Sequence, residues 1–477
     1  MIDQSKYIFL VGIKGVAMTN LAVIFKKMGK KVSGSDVEEI FITDQLLEKN
    51  NINYYVGFDT KKLPIDVDLV VYSGGHGGIN NPQVIEAKKR GIHVISQAEI
   101  LGQLIKKFGT TIAVCGSHGK TTTSSLLSYA LIRLGTRPSY LVGSPSFNEF
   151  EGGDYSSKQY FVIEADEYAV NPPDNLTPKF HLFKPNYIIC TNIDFDHPDV
   201  YKNLEATKKA FLKLFKVSIN QLIDTPLILC NDDKNLMSLT KKLPQNKYQT
   251  FGFSKKSDYV ISNVRTTHSG TQFHLAHNKK SLGVFKILLF GDKNVSNTTS
   301  VIVILITLGF SPDLVKKAIQ NFRGAKRRFE KQFSNDHFTL YDDYAHHPHE
   351  IEATIKAAQK LYPSKRIVVL FQPHTYSRTA ALLTEFAKSL SIANLSFVLP
   401  IFASARENPS DFNVSSASIQ KGARELNLKN VISTDSNDDL LRLLKTRLDE
   451  GDVIFTMGAG DVYKLKNDII DVIKGLP

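Results

Sequence analysis

The run Thr111-Ile112-Ala113-Val114-Cys115-Gly116-Ser117-His118-Gly119-Lys120-Thr121-Thr122-Thr123 decides how this chain is built. Its opening residues are apolar or β-branched, the pattern of a buried strand. A glycine-rich turn follows, and then helical spacing of apolar residues to about Leu134. Between strand and helix, the free amides of a helix N-terminus wrap a phosphate. A lysine ammonium there reaches the terminal phosphates, and the next hydroxyl ligates Mg²⁺. Gly116, Ser117, His118, Gly119, Lys120, Thr121 and Thr122 therefore read as a site for ATP or GTP. The spacing departs from the usual G-x-x-x-x-G-K-[ST], because Val114 stands where the first glycine belongs.

Working outward, two clusters of hard ligands sit just after apolar strands. Glu164-Ala165-Asp166-Glu167 follows Tyr160 to Ile163, and Thr191-Asn192-Ile193-Asp194-Phe195-Asp196-His197 follows Tyr187 to Cys190. In a parallel sheet both would face the phosphate loop. Thr121 and Glu164 suit Mg²⁺, whereas His197 is an unusual direct ligand that suits a water-mediated contact or a second metal. The stretch from about Gln249 to Leu289 alternates and reads as an antiparallel addition to this sheet. Helices from about Val295 to Leu308 and from Pro312 to Phe322 close the block.

Upstream, Tyr7 to Gly12, Lys31 to Asp36, Asp68 to Ser73 and His93 to Ile95 read as strands alternating with helices. That alternation predicts a Rossmann-like parallel sheet. Its first turn, Gly12-Ile13-Lys14-Gly15-Val16-Ala17, lacks the full G-x-G-x-x-G pattern, and Asp36 falls where a ribose-reading acid would sit. A nucleotide diphosphate, a nicotinamide dinucleotide and a purely structural turn all remain open for it. Downstream of Gly324, Ile367 to Phe371, Phe397 to Leu399 and Val453 to Met457 are the strands of a third α/β block.

The 477 residues fit about three domains. Expected limits are 1–108, 109–323 and 324–477, giving an α/β chain of three domains: Rossmann-like, P-loop ATPase-like and again Rossmann-like. Hydrophobic residues are 42% and charged residues 22%, which excludes a disordered or collagen-like chain. The longest apolar run, Val301 to Phe310, is half of what a membrane-spanning helix needs. The N-terminus has no signal-peptide pattern. The 3 cysteines, Cys115, Cys190 and Cys230, are too scattered for a disulfide framework or a thiolate metal site. The chain is expected to be cytoplasmic, with no membrane insertion. The net charge of +12 comes from lysines spread along the chain, so nucleic acid is not the expected partner; solvated surface and attraction of small anions account for it.

Taken together, these motifs resemble those of the Mur ligases, which build the peptidoglycan stem peptide with ATP. The loop Gly116 to Thr122 is similar to the family's short ATP loop, and the clusters at 164–167 and 191–197 to its magnesium segments. Asn294-Val295-Ser296-Asn297 resembles the asparagine pair at the adenine region, with Lys293 where the family usually has histidine. Lys326-Arg327-Arg328-Phe329, Asp342-Asp343-Tyr344-Ala345-His346-His347-Pro348 and Gln372-Pro373-His374-Thr375-Tyr376-Ser377-Arg378-Thr379 look like the muramate-recognising branch. Met457-Gly458-Ala459-Gly460-Asp461 matches its C-terminal glycine turn. Within that branch two activities compete: joining L-alanine to UDP-N-acetylmuramate, and joining a whole tripeptide to the same nucleotide sugar. Tyr168 and Pro178-Lys179-Phe180 look like the tripeptide enzyme. The Arg-Arg-Phe string and Ile401-Phe402-Ala403-Ser404-Ala405-Arg406-Glu407 look like the alanine enzyme, which is the closer match overall.

The resemblance implies acyl-phosphate chemistry with ATP and Mg²⁺. Lys120, His197, Arg328 and His346 are the expected catalytic groups, with Arg327 the alternative to Arg328. Asn294, Asn297, Arg328 and Asp343 join the loop in holding the nucleotide, with Asp342 the alternative to Asp343. Gly12, Lys14, Gly15, Asp36, Ser73, His347 and Arg378 are the expected substrate contacts, and Thr121, Glu164 and His197 the metal ligands. Expected partners are UDP-N-acetylmuramate and L-alanine, with the chain a monomer or weak homodimer. Two rival readings stay open on sequence alone: a catalytically inactive nucleotide-sugar switch, and a nicotinamide-dependent dehydrogenase built on the first glycine turn.

Overall fold

The computed structural model describes residues 2–220, 227–403 and 407–476, so Ser404, Ala405 and Arg406 of the 401–407 string lie outside the described residues. Three sheets carry the architecture. The first holds five parallel strands in the spatial order Asn53–Val56, Lys31–Asp36, Tyr7–Val11, Leu69–Tyr72, His93–Ser96. The central strand Tyr7–Val11 is fully buried and the helix Val16–Lys27 covers one face, as expected where helices cover both faces of a parallel sheet.

The second sheet has ten strands, with Tyr187–Cys190, Thr110–Cys115 and Tyr160–Glu164 side by side in parallel at its middle. Their register sets Cys190 beside Cys115 and Val114 beside Glu164, so the phosphate loop and both acidic clusters leave the sheet at the same edge. The strand Tyr248–Gly252 pairs in parallel with both its neighbours, which corrects the expected antiparallel start at Gln249. Antiparallel pairing begins only with Tyr259–Thr267, Gly270–His277 and Lys280–Ile287, where short turns replace crossovers. The opposite edge carries an antiparallel pair, Ser139–Phe147 with Phe150–Asp154, that the sequence reading missed. Its strands hold glycines and serines in place of the apolar alternation that marks a strand.

The third sheet runs Glu330–Ser334, Thr339–Asp343, Val453–Met457, Ile367–Phe371, Leu395–Val398, Val431–Ser433, all parallel except the first. Separate apolar clusters cover its two faces. The first two units, by contrast, share one core that includes Leu10, Ile24 and Leu101 together with Ile112, Leu127 and Val142. The three cysteines are free and buried within that shared core.

The seam between the first two units turns on Asn20. Its side-chain amide donates to the carbonyls of Val142 at 2.9 Å and Ser144 at 3.0 Å, and it is completely buried. The backbones approach so closely here that a Cβ at Gly153 would lie 2.3 Å from the Asn20 carbonyl oxygen. Asn20→Ala leaves two buried carbonyls without that donor and is expected to cost about 1–3 kcal/mol. A lower urea midpoint at constant slope is the measurement that checks it.

Candidate active site

The helix Lys120–Arg133 starts directly from the turn after Thr110–Cys115, and its first-turn amides have no intrahelical acceptors. Gly116 and Gly119 have φ of +130° and +82°, and a Cβ at Gly116 would lie 2.2 Å from the Thr191 hydroxyl. The loop is clamped by the neighbouring strand end. The Ser117 amide donates to the Asn192 carbonyl and the His118 amide to the Asn192 side chain, while Thr191 and Asn192 both donate back to the His118 carbonyl.

Lys120 Nζ donates to the carbonyls of Gly116 at 2.7 Å and Ser117 at 3.2 Å, and to Glu167 at 2.8 Å. Burial opposes its charge, but Glu167, Asp166 and Glu164 outweigh that and hold its pKa above the ordinary lysine value. Glu164 accepts from the Thr121 hydroxyl at 3.1 Å, the Ser124 hydroxyl at 3.3 Å and the Gly143 amide at 2.8 Å. Burial pushes its carboxyl up, opposed by Lys120 and Arg328. His197 has φ of +58° and sets its Nε2 3.9 Å from Glu167 and 3.7 Å from Asp196, so its polar neighbours are these acids rather than Thr121 and Glu164.

Two arginines reach in from the third unit. Arg328 Nη2 donates to the Thr121 hydroxyl at 3.4 Å. Arg378 Nε donates to Asp196 at 2.8 Å, and both side chains are buried. Arg327 points the other way, bonded to Asp342 at 2.9 Å and the Gly458 carbonyl at 2.8 Å. That geometry separates the paired candidates: Arg328 faces the phosphate loop and Arg327 braces the third sheet. Asp342 goes with Arg327, while Asp343 accepts the Phe329 and Ala345 amides and borders the loop side. Burial raises Asp343 to about 6, against the pull of Arg328.

His346 is held neutral: burial, helped by Arg378, lowers its pKa to about 4 against Glu350 and Asp196. Its Nδ1 lies 3.1 Å from the Tyr344 carbonyl, an oxygen that can only accept, so the proton sits on Nδ1 and the Nε2 lone pair is free. His347 caps the helix Pro348–Leu361 and its ring lies against His118, tilted by 39° with 4.5 Å between centroids. Burial and the His118 charge lower its pKa to about 3. His118 itself is raised to about 9, because Asp194 and Glu350 overcome its burial.

A cleft of about 570 Å³ lies where the three units meet, lined by Lys14, Gly15, Ser117, Lys120, Thr121, Glu164, His197, Arg328, His346 and Arg378. A smaller pocket of about 120 Å³ adjoins it, lined by His118, Gly119, Thr122, Asn294, Asn297 and Asp343. Gly12, Asp36, Ser73, Gly116 and His347 line neither. Lys14 borders the cleft but turns its ammonium inward, to the Glu39 carbonyl at 2.8 Å and over the Tyr54 ring. Asp36 is buried and accepts the Lys14 amide at 2.7 Å, so it fixes the first glycine turn. Gly12 packs against Ser73, where a Cβ would lie 2.4 Å from the serine oxygen. Sequence reading did not single out Glu167, the counter-ion of Lys120, nor Glu350, whose carboxylate lies 3.3 Å from both His118 and His346. Glu167 had a legible signal as part of the strand-end cluster; Glu350 sits on a helix face with nothing in its neighbours to mark it.

Comparison with known proteins covers the whole length. Family models match in chain order: Mur ligase family, catalytic domain, at residues 7–109; Mur ligase middle domain at 114–305; and Mur ligase, glutamate ligase domain, at 327–460. The UDP-N-acetylmuramate–L-alanine ligase of Pediococcus pentosaceus is 37% identical over 98% of both chains. That of Desulforapulum autotrophicum is 34% identical over 99% of this chain and all of its own. Among solved structures, the UDP-N-acetylmuramate-alanine ligase of Thermotoga maritima superposes with a TM-score of 0.78 at 25% identity, covering 99% of both chains. A murein peptide ligase from Psychrobacter arcticus shares the fold, with a TM-score of 0.74 at 22% identity. From the glycine turn of its first sheet to the Gly458 turn of its third, the chain belongs to the Mur ligase family, the ATP-dependent ligases.

Proposed function

We propose that this chain joins L-alanine to the carboxylate of UDP-N-acetylmuramate at the expense of ATP, a step in peptidoglycan precursor synthesis. The observation that carries the reading is one cleft lined by Lys120, Thr121 and Glu164 from the central unit and by Arg328, His346 and Arg378 from the third. Full-length likeness to ligases of that name supports the choice of amine.

The substrate carboxylate attacks the γ-phosphorus, an O–P bond forms, and ADP leaves. The amine then attacks the carbonyl carbon of the acyl-phosphate, a C–N bond forms, and inorganic phosphate departs. Phosphoryl transfer needs positioning and charge neutralisation more than a protein nucleophile. Lys120 and the loop amides hold the β and γ phosphates, with Lys120 exchanging Glu167 for phosphate oxygens. Arg328 and Arg378 neutralise phosphate and carboxylate oxygens, which guanidinium forks match. Neutral His346 presents its Nε2 lone pair to the proton that the attacking ammonium must lose. Asn294, Asn297 and Asp343 line the nucleoside side.

The oxygens of Thr121 and Glu164 fit Mg²⁺, which is supplied with phosphate and water oxygens in such sites, and His197 stands one shell out. When bound, the ion neutralises charge developing on the phosphates. Gly12, Gly15, Ser73 and the Lys14–Asp36 turn frame the UDP-sugar end through backbone shape. Domain limits of 1–108, 109–323 and 324–477 and a cytoplasmic location belong to the same proposal. The gaps between successive sheets support the limits, and the described residues contain no helix long and apolar enough to cross a membrane.

Lys120→Ala is expected to lower amino-acid-dependent ADP release by about 10²–10³-fold, the usual loss when one preorganised charge partner is removed. Turnover at the parent rate sinks the phosphate-loop assignment. Glu164→Gln is expected to raise the Mg²⁺ concentration for half-maximal rate by about 10-fold or more; an unchanged Mg²⁺ curve removes Glu164 from the metal site. With UDP-N-acetylmuramate and a panel of L-alanine, glycine, L-serine and the stem tripeptide, ADP release is expected to be fastest with L-alanine. A preference for the tripeptide reassigns the chain to the recycling activity, and no amine dependence at all leaves a nucleotide-binding switch.

A further inference from the structure

Beside the phosphate loop, at the seam between the central and third units, His118, Asp194, His347 and His349 converge so that one ligand-type atom from each lies within 4.8 Å of the others. We propose that these four side chains form a site for one transition-metal ion of the Zn²⁺ class, separate from the Mg²⁺ site at Thr121 and Glu164, which ties the phosphate loop to the third unit and slows turnover when filled.

The donor chemistry separates the two sites. Thr121 and Glu164 offer only oxygens, which suit Mg²⁺, whereas three imidazoles and one carboxylate suit Zn²⁺ and its neighbours in the transition series. A tetrahedral ion with bonds of about 2.0–2.1 Å holds its ligand atoms about 3.3 Å apart. Asp194 Oδ2 already lies 3.1 Å from His118 Nε2 and 3.8 Å from His347 Nδ1, and it is hydrogen-bonded to His349 Nδ1. On the inner pair the change to that spacing is a few tenths of an ångström; His349 must back away from Asp194, and the atoms that lie as far as 4.8 Å apart must draw together.

The outer partners are also in place. Metal-bound imidazoles use their second nitrogen on a carboxylate or a backbone carbonyl, which fixes ring and tautomer. His118 turns Nε2 toward Asp194 and Nδ1 toward the Glu350 carboxylate at 3.3 Å. His347 turns Nδ1 toward the cluster and Nε2 toward the Phe195 carbonyl at 3.3 Å. Filling the site replaces the hydrogen bonds of Asp194 with His118 and His349 by bonds to the ion, and it also gives up the long bond from the His349 amide to His347 Nδ1 at 3.3 Å. His349 has 61% of its side chain exposed and gives the ion a way in, while His347 is 3% exposed and anchors the floor. His118 and Asp194 belong to loops of the central unit and His347 and His349 to the start of the helix Pro348–Leu361 in the third, so a filled site must be broken before the units part. Lid opening and product release set many turnover rates, so such a tie slows the cycle.

The test strips the full-length protein with a chelator, then titrates ZnCl₂ against a chromophoric chelator in excess MgCl₂. One Zn²⁺ per chain is expected, with the visible absorption of tetrahedral Co²⁺ when cobalt replaces it, and ADP release that falls as the site fills. His349→Ala is expected to weaken zinc binding by more than about 10-fold, a loss that even an outer partner can cause, while its zinc-free ADP release and melting temperature stay at the parent values. Asp194→Asn, read by zinc binding alone, is expected to weaken it likewise. No zinc uptake by the parent, or unchanged affinity in His349→Ala, overturns the site. Uptake without slower turnover overturns its role as a tie. Zinc uptake is measured without reference to any ligase reaction.

Discussion

A lysine ammonium cannot sit almost out of water without a counter-charge. Lys120 meets that constraint through Glu167, itself almost wholly buried at 2.8 Å. The same requirement recurs around the cleft. Arg378 is matched by Asp196, His118 by Asp194 and Glu350, and Arg328 leans on the Thr121 hydroxyl beside Glu164. Buried charges are tolerated only when paired and hydrogen-bonded. The cleft is therefore walled by paired charges, each cation held in place by an acid of a neighbouring strand end or helix.

These pairs explain why the strand ends are so rich in acids. Within the clusters at 164–167 and 191–197, different members serve different partners. Glu164 faces the loop hydroxyl while Glu167 faces the ammonium; Asp194 serves the histidines while Asp196 serves the guanidinium.

Much of this was legible in the chain. Thr111 to Thr123 announces strand, phosphate turn and helix because each signal has its own period or residue type, and the Tyr160 and Tyr187 strands carry their acids to the same edge by simple parallel register. What stayed hidden depends on contacts distant in sequence. Nothing in Lys326-Arg327-Arg328-Phe329 tells which guanidinium turns inward; the partner Asp342 and the Gly458 carbonyl settle it. Lys14 is an expected substrate contact within the first glycine turn, yet Glu39 and the Tyr54 ring draw its ammonium away. The edge pair Ser139–Phe147 and Phe150–Asp154 was missed because its glycines are there to admit the Asn20 helix, a packing demand with no local periodicity.

The shared core of the first two units has a mechanical consequence. With Ile24 and Leu101 packed into the same apolar cluster as Leu127 and Val142, and Asn20 bonded to the strand Ser139–Phe147, the first two units form a single platform. The third unit has two apolar clusters of its own and meets that platform through polar links such as Arg378–Asp196 and Lys464–Glu39 and through the ring contact of Phe329 with Phe290. Three domains by sequence thus behave as a jaw and a base. For the proposed reaction, the spacing of the two phosphate-bearing ligands is then built in, and only the approach of the amine is left to motion.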